Sequence, residues 1–312
     1  MWCSCPIRSR SSCPAFKATR PPGKRYDYSN LGAGLLGHLL CRATGRSLDD
    51  LMVERICRPL GLDSTRIVAT DRMRQRLVTG HEAGVGPVPL WRYGVLAGCA
   101  ALLSDAADLV RYLEAQLVPG DDPVGRAIRV TQAERFVVQQ GVLAMGLGWH
   151  LTGQGDNRDW VHAGGTYGCT SYVAFNPVRR VGLVLLTNSG IHGWIPAAGS
   201  QLFEYLCGRP YRIPQLPRST TVAAEELRRF EGRYRYVHDR STVRATVEQD
   251  HLRLRSEGEP DQGVAAFPLG AGRFIAKSAA VAFKFDLDPA TGRVRSFAQH
   301  EGPEPLKAVR ID

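Results

Sequence analysis

One heptapeptide constrains the architecture more than any other stretch. Val181-Gly182-Leu183-Val184-Leu185-Leu186-Thr187 is apolar on both faces of an extended chain. A strand with one wet face alternates apolar and polar residues; this one does not, so it is expected to be a central strand with helices on both sides. Ser171–Phe175 precedes it across Asn176-Pro177, a turn signal, and the two form a hairpin. Gly146–Leu151 reads as a further strand, and Val161 leads into a turn at His162-Ala163-Gly164-Gly165.

Helical signals lie on either side of this β-rich stretch. Pro21-Pro22-Gly23 is a turn and Arg25–Tyr28 a short extended piece. Asn30 stands where an N-cap belongs, and Leu31, Leu35, Leu36, Leu39 and Leu40 supply one apolar stripe before Gly45 closes the helix. Ser47 opens a second helix with Asp50 as its capping-box partner, Leu48, Leu51, Met52 and Ile56 as its buried stripe, and Pro59 and Gly61 as its end. Residues 84–100 are glycine-rich and read as loop. Ser104–Asp108 caps a helix carrying Leu109, Val110 and Leu113, residues 119–145 mix loop and helix, and 196–207 form a helix stopped by Gly208. The class is α+β: an antiparallel sheet flanked by helices.

Past the proline-rich link 210–221 the pattern changes. A helix at 222–230 is succeeded by strands at Arg244–Val247, Leu252–Arg255, Arg273–Ala276, Val281–Asp286 and Val294–Ala298, a spacing that suits a sandwich or barrel. The expected organisation is an irregular segment 1–20, a main domain 21–209, the linker 210–221 and a small barrel-like all-β domain 222–312.

Charge and cysteine usage exclude several classes. The net charge is +10, but it is carried by scattered arginines, with Lys17, Lys24, Lys277, Lys284 and Lys307 the only lysines. A nucleic-acid reader concentrates charge on one face or arm, so no nucleic-acid partner is expected. The eight cysteines include no Cys-x-x-Cys pair, so neither a zinc site nor a thioredoxin-like motif is expected. No run is long and apolar enough to span a membrane, and the first residues lack the apolar core of a signal peptide, so the chain as written is expected to stay in the cytoplasm.

Two short stretches could carry chemistry. Tyr28-Ser29-Asn30 sits where an extended segment becomes a helix, a junction that holds side chains over a cleft. A phenol there can shuttle a proton and a carboxamide can hold a substrate amide by donor and acceptor together; the plainer alternative is packing and capping. His162-Ala163-Gly164-Gly165-Thr166 places glycines where a ligand backbone can come close, backbone N–H groups where an oxyanion can form, and an imidazole beside them. Its plainer alternative is a glycine turn with an incidental histidine. His81-Glu82 lacks the second histidine of a zinc-protease helix, and Ser29 has no lysine or histidine near it in sequence.

The surroundings of both stretches resemble one family. Residues 21–65 run in the order Pro-Gly turn, Tyr-Ser-Asn, glycine-studded helix, Thr-Gly, second helix, Pro-Leu-Gly. The Ser104–Asp108 stretch and residues 162–189, HAGGTYGCTSYVAFNPVRRVGLVLLTNS, continue the sequence of motifs. This order is similar to that of the penicillin-recognising serine hydrolases: class C β-lactamases, D-alanyl-D-alanine peptidases and related esterases. The resemblance implies a β-lactamase/transpeptidase-like fold, incomplete at its N-terminal side, acting on a β-lactam, D-amino-acid peptide or ester by acyl transfer, with no metal or organic cofactor. It puts the Tyr-x-Asn motif on Tyr28 and Asn30 and the Lys-Thr-Gly variant on His162, Ala163 and Gly164, with Gly165 as backbone oxyanion donor beside Thr166.

The first motif of that family, Ser-x-x-Lys, is missing. Three residues before each lysine stand Pro14, Pro21, Phe274, Val281 and Glu304. His162 replaces a permanently charged lysine and pulls less on a carboxylate, which favours a peptidase or esterase over a potent β-lactamase. The expectation is a hydrolase relative with lost or very small turnover, the alternative a non-catalytic binder of peptides or cell-wall fragments.

Overall fold

The computed structural model describes residues 21–312 except 22, 216, 259–262, 280 and 301–303; the expected irregular segment 1–20 lies outside the described residues. Helix α1 (Asn30–Thr44) is capped by Ser29, not by Asn30: Gly32 N donates to Ser29 Oγ at 2.9 Å. Its packed face also departs from expectation. Gly34 and Gly37 are its buried residues, pressed on the 3₁₀ segment Gly94–Cys99, where a Cβ on Gly34 would lie 2.8 Å from Leu96. Absent side chains let the two backbones approach. The leucine stripe faces outward, with Leu36 59% and Leu39 54% exposed.

Ser47 caps α2 (Leu48–Met52), where Asp50 N donates to its hydroxyl at 3.0 Å, and the helix continues through a π turn, Val53–Cys57, into α3 (Arg58–Leu60), closed by left-handed Gly61. Two buried aspartates pin the backbone between Ser64 and Val68. Asp49 accepts from Arg66 Nη2 at 2.6 Å and from the backbone of Ile67 at 2.7 Å and Val68 at 3.0 Å. Asp108 accepts from Ser64 N at 2.7 Å and Thr65 Oγ1 at 2.8 Å. Each buried carboxylate is thereby satisfied, as burial requires.

Next come α4 (Asp71–Arg76), β1 (Gly80–Glu82) and β2 (Gly86–Val88), so the expected loop 84–100 holds a strand and a 3₁₀ turn. Helices α5 (Ala106–Leu117) and α6 (Pro123–Gln132) lead into an antiparallel sheet of β3 (Phe136–Gln139), β4 (Leu143–Met145), β5 (His150–Thr152), β6 (Asp159–Thr166), β7 (Cys169–Asn176) and β8 (Val181–Thr187), paired in that order. Two expectations change here. Gly146–Trp149 lies outside the strand, which begins at His150, and His162–Gly165 is strand rather than turn, paired residue by residue with Val173 to Thr170.

Alternation along β7 builds a core on each face of the sheet. Phe175 joins Leu113 of α5, Trp149 and Leu151 on one side. Tyr172 and Ala174 join Phe203 and Cys207 at the end of α7 (Trp194–Leu206) on the other. Strand β8 is covered on both faces by these helices, as its composition demands, but among the described residues it is the edge strand and not a central one. The short β9 (Ser189–Gly190) pairs in parallel with β1.

The chain then passes through α8 (Ala224–Leu227) into a closed eight-stranded barrel: β10 (Gly232–Tyr236), β11 (Thr242–Glu248), β12 (His251–Ser256), β13 (Val264–Gly270), β14 (Arg273–Ala276), β15 (Val281–Leu287), β16 (Val294–His300) and β17 (Leu306–Arg310). Tyr234, Phe274, Phe285 and Phe297 fill it, with Tyr234 and Phe274 edge to face on Phe285 and Phe297 tilted against it. One buried ion pair joins the two units: Arg253 Nη1 of β12 lies 2.6 Å from Glu82 Oε1 of β1. Tyr167 donates to Gly263 O at 3.1 Å, His192 N to Ser278 O at 2.7 Å, and the Phe267 ring covers Gly84. Among the described residues no helix is long and apolar enough to cross a membrane.

Candidate active site

The groove forms where the segment before α1 meets β5 and β6. In an extended chain, residues two apart point the same way, so Tyr26 and Tyr28 both reach His150 at the start of β5. The Tyr26 hydroxyl lies 3.1 Å from His150 Nε2, and the two rings meet edge on at 6.3 Å. Tyr28 stacks with the same ring, centroids 6.4 Å apart at 21°. His162 of β6 closes the row, its ring 5.5 Å from that of His150. Tyr28 and His162 therefore both neighbour one imidazole. Asn30, the first residue of α1, is exposed two residues beyond Tyr28.

The lower wall is the second half of β6. Strand β5 pairs with β6 only as far as His150 opposite Val161, so His162–Thr166 is paired by β7 alone and keeps an open edge among the described residues. Such an edge can pair with the main chain of an extended ligand. Gly164 and Gly165 keep it bare. A Cβ on Gly165 would lie 1.9 Å from His192 Nδ1, so this position admits no side chain while that imidazole stays. Ala163, also on this strand, is exposed.

Electrostatically the groove favours neutral rings. Burial pulls the His150 imidazole below its ordinary range, with the Val161 backbone working against that shift. Burial also lowers His162, the nearby His150 lowers it further, and the Ala163 backbone opposes them. Burial, then Tyr28, raises the Tyr26 phenol, so it keeps its proton. At neutral pH the groove therefore offers phenol and imidazole hydrogen bonds rather than fixed charge. Among the described residues no group of three or more His, Cys, Asp or Glu side chains could hold a metal ion.

Tyr26 and His150 escape a reading of the sequence alone. The Tyr-x-Tyr alternation at 26–28 is the available signal for the first; the second gains meaning only from contacts across 124 positions. The weaker candidates fall away from the groove. Ser29 is spent on its cap. His81 Nδ1 lies 3.3 Å from Asn188 O, between β1 and the end of β8.

Residues 15–193 match the model of the family described as Beta-lactamase. A beta-lactamase of Yersinia enterocolitica is 29% identical over 204 residues, covering 54% of this chain and 52% of that protein. The D-alanyl-D-alanine-carboxypeptidase/endopeptidase AmpH of Escherichia coli K12 is 27% identical, covering 55% of this chain and 48% of its own. The chain thus spans about half the length of the curated relatives it matches. The octameric penicillin-binding protein homologue of Pyrococcus abyssi shares the fold over 93% of this chain and 66% of its own, with TM-score 0.52 at 20% identity.

Proposed function

Because this chain belongs to the beta-lactamase family, we propose that its groove is that of a serine acyl-transfer hydrolase acting on peptide or ester substrates, and that these 312 residues alone turn over little or nothing. In that chemistry a serine attacks an amide or ester, an acyl-enzyme forms, and water releases it. Tyr28 is the proton shuttle, Asn30 positions the acyl side chain, and His162 with Ala163, Gly164 and Thr166 holds the far side of the substrate. Gly165 N–H receives the oxyanion. No serine precedes a lysine by three positions in the sequence, and loss of the nucleophile costs a comparable hydrolase roughly a millionfold.

The observation that carries this reading is the meeting of the two motifs: Tyr28 and His162 both lie against the ring of His150. Neutral imidazoles in place of a fixed cation favour peptides and esters over β-lactams, whose carboxylate profits from permanent charge. A binding-only role for the same groove is the second reading, favoured by a groove that retains its geometry in a sequence without Ser-x-x-Lys.

The test uses the purified chain with a fluorescent penicillin and with an acyl-D-alanyl-D-alanine peptide. No labelled adduct is expected, and a covalent adduct would overturn the loss of turnover. Saturable peptide binding without hydrolysis selects the binding role; neither binding nor hydrolysis fits a hydrolase groove left without its nucleophile.

A further inference from the structure

The outer face of α1 is apolar and, among the described residues, uncovered. Leu31, Leu35, Leu36, Leu39 and Leu40 are each 40–59% exposed. The helix has no acidic residue and no lysine, and its one arginine, Arg42, stands in the last turn. Together the five leucines expose roughly 400–500 Å², a size at which an apolar patch on a soluble protein marks an interaction site. On the same face, a Cβ added to Gly32 would meet only the capping Ser29, at 3.3 Å, so no neighbouring element packs there. We propose that this face is the contact between two copies of the chain, with their α1 helices antiparallel about a two-fold axis.

The order of sizes along the seam points to a second copy. Gly32, Leu36, Leu39 and Ala43 follow one another down the middle of the exposed face, at the four-three-four spacing of a coiled-coil seam. Small, large, large, small reads the same in both directions. A two-fold contact requires a surface that is its own complement. Reversing the helix sets Leu36 against Leu39 and Gly32 against Ala43, so the leucines interdigitate at the centre while the small residues let the backbones close in at the ends. Parallel packing would instead set Gly32 on Gly32 and leave a gap. The antiparallel helix dipoles also run head to tail. Two such faces bury about 1,000 Å² between them, the lower bound for specific association, so the dimer is reversible. A lipid surface suits the face less well: helices that lie on membranes display a basic polar side, and α1 has Arg42 alone. In this register Asn30 lies opposite Gly45 of the partner subunit, which brings the second copy to the end of the groove.

The experiment is sedimentation velocity of the whole chain from about 1 µM to about 100 µM, the range in which a weak interface dissociates. A shift from one copy to two is expected. Leu36→Lys and Leu39→Glu should each stay monomeric throughout, with melting temperatures close to the parent's, because both positions face water in the single chain. Mixed in equal amounts, the two variants are expected to dimerise again. The antiparallel seam sets the new ammonium of one copy against the new carboxylate of the other and leaves the second leucine pair intact. Should a charged variant fail to fold, Leu36→Gln and Leu39→Gln show whether this face carries the dimer. A monomeric parent, a dimer unmoved by these substitutions, or charged variants that stay monomeric on mixing would overturn the proposal. A monomeric parent that sediments with phosphatidylglycerol vesicles assigns the face to lipid instead.

Discussion

The ring of Tyr28 lies stacked on the ring of His150, with centroids 6.4 Å apart and planes 21° from parallel. This contact joins the segment before α1 to the strand layer, although Tyr28 itself remains 61% exposed. An aromatic pair of this kind is worth about 0.5–1.5 kcal/mol beyond its buried area. The site is therefore held in shape partly by its own functional rings.

Acid is expected to loosen the fold before any carboxylate is protonated. His150, His162 and His192 are all held below the ordinary histidine range by burial, His162 by His150 as well. In the unfolded chain each takes up a proton near its ordinary value of about 6.5. Below that pH the unfolded state binds more protons than the folded one, so stability falls as pH drops from about 7 to about 5. Asp288, held at about 2 chiefly by the backbone N–H of Thr291, acts only in a lower window. Calorimetric melting across the two windows separates them; a melting temperature that is flat between pH 7 and 5 would contradict this account.

Gly165→Ala is expected to destabilise by about 1–3 kcal/mol, the usual cost of forcing atoms into occupied space. The new methyl would stand 1.9 Å from His192 Nδ1 and expel that ring. Gly164→Ala serves as the control, since its methyl meets only the Ser171 hydroxyl at 2.8 Å, which can rotate away. Urea unfolding of the two variants should rank them in that order.

Breaking the ion pair between the two units should cost more. Glu82 is 3% and Arg253 4% exposed, so Arg253→Met strands a carboxylate away from water. A loss of about 3–5 kcal/mol is expected. Arg253→Met combined with Glu82→Gln should recover much of it, because no unpaired charge remains. If denaturant unfolding places the double variant below the single one, unpaired charge is not the cause.

Leu186→Lys addresses the open edge of the sheet. Leu186 is 44% exposed on β8, the last strand in the ladder. A charge there discourages edge-to-edge pairing between copies. Stability should stay within about 0.5 kcal/mol of the parent, while light scattering at high concentration should fall. Unchanged scattering would place the sticky surface elsewhere, the outward leucines of α1 being the next to test.

Much of this arrangement is legible in the residues, and the exceptions have physical causes. The two-sided apolarity of β8 correctly demands helices on both faces, which Leu113 and Phe203 supply. It also suggests a central strand, whereas among the described residues β8 ends the ladder, because periodicity reports faces and is silent about edges. The leucine stripe of α1 looks like a packing surface, but glycines at 34 and 37 make the closer contact. Glycines at 164 and 165 suggest a turn, whereas the ladder to β7 keeps the chain extended. In the barrel, β10, β13 and β17 escape the sequence pattern; β13 contains Pro268, normally a strand breaker, seated at a register shift. The tyrosine and histidine motifs are both visible in the residues; that His150 touches both is not, because no local pattern marks it.

The aromatic filling of the barrel settles what that unit can be. With Tyr234, Phe274, Phe285 and Phe297 each at most 3% exposed inside it, the cylinder is a plug rather than a cup. It has no lumen to lend to a lipid or dye, and whatever it contributes is made with its outer wall. Just past the strand bearing the groove, Tyr167 donates to Gly263 O, and His192 N donates to Ser278 O, so loops of this unit steady the strand's end as an anvil steadies a thin plate.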